Sequence, residues 1–465
     1  MAEAWINHLS YLAAKNSLVN SELYAKYNVK RGLRDLTGKG VLAGLTRIGE
    51  VQAQTIVNGE SVPAPGRLIY RGIDIRDLVV GFLSDNRNGF EETCYLLMFG
   101  EQPDRSELTR FKELLVAKRD LQSDFLHDSI LKVPSRDVMN AIARAVLALY
   151  ASDDNPDATD LPNVLRQSLS LIAIFPLLVA YSYQAHAYQY KNKSLVIHSP
   201  DPALSTAANF LHMLRHDSTY TPLEAQLLDL SLVLHAEHGG GNNSSFTTHV
   251  VTSTGTDTYS AVAAALGALK GPRHGGANIK VVQMFDDMQQ VLKNWDDDRE
   301  IEDYLAKLLQ KESFDRSGLI YGMGHAVYSI SDPRTLIIRE QVARLAREKG
   351  REEEYRLYEK VERLAPAVIA SKRTIYKGVS ANVDFYSGLL YRLLDIPPEL
   401  FTPLFAMARI AGWSAHRIEE IANAGKIIRP AYKSVVEHVP YVPIVARQPL
   451  WQADFNPVEL SDTPL

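Results

Sequence analysis

Residues 337–366 read IIREQVARLAREKGREEEYRLYEKVERLAP. Two apolar stripes run through this stretch. Ile338, Val342 and Leu345 follow an i, i+4, i+7 spacing, and so do Leu357, Val361 and Leu364. On a helix of 3.6 residues per turn, each set lies on one face with the arginines and glutamates opposite. Gly350, after Arg347-Glu348-Lys349, is the stop between the two helices. The same period recurs at Leu108, Phe111 and Leu115, and Gly271-Pro272 ends the Ala-rich run from Ala261 to Lys270. Alternating patterns are scarce. VQAQTIVNGESVPAPGRLIY, residues 51–70, reads as a hairpin-like region turning at Asn58-Gly59. The fold class is therefore mostly α, with minor β near the N-terminus. One segment resists that reading: SSFTTHVVTST, Ser244 to Thr254, is β-branched and reads as strand by propensity alone.

Composition narrows the function classes. The chain has 465 residues, 46% hydrophobic and 23% charged, which is ordinary for a globular protein and excludes disorder as the main state. It is long enough to bury a core without disulfides or a structural metal. Fifty basic against 55 acidic residues give a net charge of −5, which argues against a nucleic-acid-binding protein. A single cysteine, Cys94, cannot form an internal disulfide or a Cys-rich zinc site. Met1 to Tyr27 has no arginine and carries Glu3 and Glu22, unlike a mitochondrial transit peptide. These features suit a cytoplasmic protein. The most hydrophobic run, Leu169 to Tyr181, is too short to span a bilayer and is interrupted by Pro176, so it reads as a buried core helix with no membrane partner. The acidic, Pro-containing stretch 152–162 reads as a surface loop, and the charged helical stretch from about 279 to 390 as a separate lobe.

Three histidines sit against glycines. His238 precedes Gly239-Gly240-Gly241, His274 lies in GPRHGGAN, and His325 lies in GMGHAVY. Glycine-flanked backbone lets a ligand approach closely, and three such histidines in one chain point to a site rather than to loop caps. Asp384, in NVDFYSG, fits a helix N-cap as well as a carboxylate base. Arg334, at the start of a helix, fits a surface ion pair as well as an anion ligand. His235 and His238 with Glu237 are spaced i, i+3, lack the H-E-x-x-H pattern and have no evident third ligand, so no metal is expected. Gly322-Met323-Gly324 lacks the third glycine of a dinucleotide fingerprint, and neither a phosphate-binding loop nor a G-x-S-x-G elbow is present. No cofactor is implied.

Taken together, HAEHGGGNNSSFTTHVV, GPRHGGAN, GMGHAVYSISDPR and NVDFYSG occur in an order and at separations that resemble the citrate synthase family. GRLIYRGIDIRDLV (66–79) and AANFLHML (207–214) are similar too, and the resemblance runs from about Gly32 to about Lys433. It implies a two-domain helical fold, with a large domain over 1–278 and 391–465 and a small lid domain over 279–390. The implied reaction condenses acetyl-CoA with oxaloacetate through an enolate-like intermediate, then hydrolyses the citryl thioester without metal or redox cofactor. The resemblance makes Asp384 the base on the acetyl methyl group, His274 the donor to the thioester oxygen and His325 the donor to the ketone. His238, Arg334, Arg409 and Arg429 would hold oxaloacetate, Arg429 from a neighbouring subunit, which makes the partner a second copy in a homodimer. Leu319, Ile320, Tyr321, Gly322, Met323, Gly324, Lys377 and Asn382 would bind CoA. One position departs from the family: Ser329 stands where a basic residue is common. For Ser244 to Thr254 the family implies helix against propensity. Two other readings share these motifs: a 2-methylcitrate synthase acting on propionyl-CoA, and a non-catalytic CoA-binding homologue, which would have no use for a base at 384.

Overall fold

This computed structural model describes residues 2–35, 40–325, 327–372, 378–423 and 425–447. The chain forms two compact units, Met1–Leu42 with Arg429–Leu465, and Ala43–Ile428. The terminal unit holds the helix Ala2–Ser17 and the short helix Ser21–Lys26, whose cap Asn20 accepts from the Glu22 amide at 2.9 Å. Its exposed C-terminal run includes a 3-10 turn at Ile444–Ala446. The expected lobe edges at 278/279 and 390/391 both fall within the larger unit, inside the helices Ala277–Val291 and Val383–Leu393.

The larger unit opens with the hairpin. β1 (Gly49–Val57) pairs antiparallel with β2 (Glu60–Tyr70), and β3 (Ile73–Asp74) adds to the other edge of β2. Asn58 and Gly59 both have positive φ, 53° and 84°, the twist that matches a two-residue hairpin turn. After β3 the described residues are helical or loop apart from one isolated bridge, Met323 to Ala381.

The core is built around the helix Leu161–Lys191, 31 residues long. This corrects the sequence reading in one respect. Pro176 does not interrupt the helix, which is long and apolar enough to cross a membrane by length and composition. It is instead buried in the unit, with Phe175, Leu177, Leu178 and Val179 all at 2% exposure or less. A proline inside a helix costs about 3 kcal/mol. Each of those buried neighbours recovers about 1.5–3 kcal/mol, so packing outweighs the break.

The Ser244 to Thr254 segment is also helical, as Asn243–Thr252. Its hydroxyls explain why propensity loses. Thr247 and Thr248 donate to the carbonyls of Asn243 and Ser244, one turn back, at 2.8 and 3.0 Å. Ser244, Ser245, Thr248 and Thr252 form a buried face of small residues, and Thr252 receives the Arg417 guanidinium at 3.1 Å. A face of small polar side chains suits close helix packing better than a sheet edge.

Candidate active site

Three connections converge on His238. The Pro222–His235 helix runs out just before it. Tyr70, the last residue of β2, is fully buried there; its hydroxyl lies 3.1 Å from the Val233 carbonyl and 3.0 Å from that of Glu237. From the other side, the helix Phe401–Ala422 comes so close that a Cβ on Gly412 would lie 2.4 Å from the Ala236 carbonyl and 2.5 Å from Glu237 Oε2. Only glycine fits that contact. His238 is thereby pinned with its Nε2 sealed from water and without a hydrogen-bond partner. Burial depresses its basicity first, and the charges of Arg334, His325, Arg409 and His274 depress it further. The ring is a neutral imidazole.

His325 faces it, ring centroids 5.4 Å apart, with Tyr328 stacked on His325 at 4.7 Å. The amides of Val327 and Tyr328 both donate to His325 Nδ1, at 3.0 and 3.1 Å. Nδ1 therefore carries a lone pair, and in the neutral ring the proton resides on Nε2. The loop's own backbone thus fixes His325 as an Nε2–H donor.

His274 sits on the loop before the helix Ala277–Val291, as the glycine pattern suggested. Burial, with Arg409 second, pushes its pKa down to about 4, so it too is neutral. Its Nε2 lies 3.3 Å from Ser244 Oγ. Ser244 also accepts from the Trp413 indole at 3.1 Å, and its single hydroxyl proton has two acceptors in reach, Asn242 Oδ1 at 3.0 Å and His274 Nε2.

Asp384 is not the helix cap. Asn382 caps the Val383–Leu393 helix, accepting from the Asp384 amide at 3.0 Å. Asn382 also donates to the Gly324 carbonyl at 2.8 Å, which ties this helix start to the glycine loop carrying His325. Asp384 is freed for another use. Its Oδ1 is sealed and unpartnered, although the residue as a whole is only half-buried. Burial pushes its pKa up to about 6, and Asp332 adds to that while Arg334 and Arg409 pull the other way.

The arginines divide. Arg334 is not a surface residue: it is 3% exposed and grips Asp332 through Nε and Nη2 at 3.0 and 2.7 Å. Asp332 also accepts from the Val383 amide at 3.2 Å, so this pair joins the start of the Pro333–Glu348 helix to the segment before Asp384. Arg409, 0% exposed, spends only Nε, on the His235 carbonyl at 2.7 Å. Both its terminal nitrogens are sealed and unpartnered. Burial lowers its pKa to about 10, so at neutral pH it remains a cation. Arg429 lies in the terminal unit and is exposed.

His235 is buried beside His238, its Nε2 without a hydrogen-bond partner. Its Nδ1 is 2.7 Å from the Ser231 carbonyl and its ring packs edge-on against Phe405. In the expected CoA segment, Leu319 is exposed and Ile320 buried, and the Tyr321 hydroxyl donates to Asp315 at 2.7 Å. Met323 bridges to Ala381 in an antiparallel pair. Ser329 is buried, and Lys377 lies outside the described residues. Sequence reasoning passed over Asp332, Tyr70, Tyr328 and Ser244. Only Asp332 had a local signal, as the residue before Pro333-Arg334 at a helix start.

Comparison with known proteins gives the family. The family model described as "Citrate synthase, C-terminal domain" matches residues 35–431. The chain is 35% identical to a citrate synthase of Synechocystis over 388 residues, 82% of this chain and 88% of that one. It is 32% identical to a 2-methylcitrate synthase of Shewanella oneidensis, covering 86% and 94%. Among solved structures, citrate synthase from Pyrobaculum aerophilum superposes with a TM-score of 0.70 at 29% identity, covering 88% and 94%. The ternary complex of carboxymethyl coenzyme A and oxaloacetate with citrate synthase from Thermoplasma acidophilum gives 0.72 at 26%, covering 90% and 99%. The chain belongs to the citrate synthase family.

Proposed function

We propose that this site condenses acetyl-CoA with oxaloacetate and water to give citrate and CoA. The observation that carries the reading is the unpaired, buried fork of Arg409, within the same electrostatic neighbourhood as His238, His274 and Asp384. A sealed cation with two free donor groups calls for a carboxylate, which an arginine fork binds in bidentate fashion. Asp384, ionised above about pH 6, removes the methyl proton. Neutral His274, its Nε2 held 3.3 Å from Ser244 Oγ, presents a ring N–H to the thioester oxygen as charge develops there. The enol carbon attacks the ketone, and His325 Nε2–H meets the new alkoxide. A placed donor at such an oxygen is worth about 3–4 kcal/mol. His238 and Arg334 complete the oxaloacetate cradle, and residues 319–324 with Lys377 and Asn382 take CoA. Residues 279–390 act as the lid, excluding water until the carbon–carbon bond has formed.

The direct test is CoA release from EDTA-dialysed protein with oxaloacetate, comparing two thioesters. Acetyl-CoA should exceed propionyl-CoA in kcat/KM by about tenfold, the order one methylene supplies. The reverse ratio would make the product 2-methylcitrate. Activity lost on dialysis and restored only by added metal, in a chain whose thermal midpoint is unchanged by the dialysis, would overturn the metal-free chemistry.

We also propose a homodimer in which Arg429 completes the partner's site. Arg429→Ala and His274→Ala chains, each nearly inactive, should regain activity when mixed, because one of the two sites in each heterodimer then carries both residues. Verified heterodimers without recovery would rule out sharing.

A further inference from the structure

Two histidines outside the proposed chemistry meet ring to ring. His249, on the Asn243–Thr252 helix, and His416, on the Phe401–Ala422 helix, place Nε2 and Nδ1 3.0 Å apart. The outer nitrogen of each ring faces a carboxylate: His416 Nε2 is 3.0 Å from Glu237 Oε1, and His249 Nδ1 is 2.8 Å from Glu420 Oε2. Glu419, three residues after His416 and so on the same helical face, brings Oε2 to 3.8 Å from His416 Nδ1. That oxygen is sealed from solvent and makes no hydrogen bond.

We propose that His249, His416 and Glu419 form a binding site for a divalent transition metal of the zinc class. One ligand atom from each lies within 4.8 Å of the others. Two imidazoles and one carboxylate, with a fourth position left to water, are a known zinc ligand set. Bond lengths near 2.0–2.1 Å set tetrahedral ligand atoms roughly 3.3 Å apart. The observed 3.0 and 3.8 Å lie on either side of that spacing, and all three ligand atoms lie within 4.8 Å of one another. The surroundings match as well. Zinc-bound histidines characteristically donate their other N–H to a carboxylate, and both rings here are so placed. Glu419 Oε2, sealed from solvent and 3.8 Å from His416 Nδ1, is the carboxylate oxygen a metal would draw in. Gly240 packs directly on the pair: a Cβ there would lie 3.4 Å from His416 Cε1 and 3.6 Å from His249 Nε2. Beside it Gly241 and Thr46 are exposed. The metal would clamp the two helices together and, through Glu237, the residue before His238. No step of the condensation runs through it.

The test uses the full chain, stripped by chelator, titrated with zinc by calorimetry and with cobalt(II) by visible absorption. One saturable equivalent per chain, a tetrahedral cobalt band and a raised thermal midpoint are expected. His249→Ala and Glu419→Gln should weaken binding by about 10²-fold or more. The amide oxygen introduced by Glu419→Gln can still accept from the Arg47 amide, as the Glu419 carboxylate does at 2.7 Å, so that variant keeps its structural contact. Should His249→Ala fail to fold, Glu420→Gln keeps all three ligands and should weaken binding by about 10–100-fold. Absence of saturable binding to the folded chain, or binding unchanged in the folded variants, would overturn the site.

Discussion

Replacing Asp384 with asparagine should lower turnover by about 10²-fold or more while the protein folds normally, because asparagine cannot accept the methyl proton. Folding should survive for a reason visible in the structure. The helix cap is Asn382, and the Asp384 carboxylate leaves one oxygen sealed and unpartnered. The sign of the stability change follows from the raised pKa. A carboxyl whose pKa is higher folded than unfolded favours the folded state only when protonated. Stability is therefore lost as pH rises from about 4 to about 6, and the cost persists above that. The shift from 3.8 to about 6 corresponds to roughly 3 kcal/mol at most. The thermal midpoint of Asp384→Asn at pH 8 should thus equal or exceed wild type. The pH profile supplies a second readout. His274 is already neutral above about pH 4, so the acidic limb of kcat/KM near pH 6 belongs to Asp384 and should vanish in the variant. Near-normal turnover in folded Asp384→Asn would remove Asp384 from the mechanism.

Where the sequence spoke clearly, a local rule was sufficient. The stripes Ile338, Val342, Leu345 and Leu357, Val361, Leu364 are buried faces of the Pro333–Glu348 and Glu352–Lys372 helices, and the Asn58-Gly59 turn forms with both φ values positive. Local rules failed where distant packing decides. Pro176 reads as a break until the buried side chains around it are counted. Asp384 fits cap and base equally until the actual cap, Asn382, is seen two residues before it. Arg334 fits a surface ion pair as well as an anion ligand until its burial, at 3% exposure, is known. The His249–His416–Glu419 cluster lies beyond any window of sequence, since His249 and His416 stand 167 positions apart and only the packing of two helices joins them. The family motifs reached further because they mark several loops at once: His238, His274, His325 and Asp384 come from four separate segments.

Changing Arg409 to glutamine should raise the KM for oxaloacetate by about 10²–10³-fold, the effect of removing one partner from a buried charge pair worth about 2–5 kcal/mol. The free protein should barely notice. Arg409 in the unliganded site is a desolvated cation without an anion in its fork, which is costly in itself. Losing it forfeits the Nε bond to the His235 carbonyl, worth about 1 kcal/mol, and the contact of the guanidinium with the Phe405 ring at 4.8 Å, worth about as much, and relieves that burial in exchange. The thermal midpoint without ligand should therefore stay near wild type. The rise in midpoint on adding oxaloacetate, large in the wild type, should be lost. Arg409→Lys separates charge from shape, because a lysine keeps the cation but not the planar fork. It should recover part of the ligand-induced stabilisation and little of the affinity. Equal oxaloacetate KM in all three proteins would mean that the fork is satisfied by something other than substrate, and would remove the observation on which the functional reading rests.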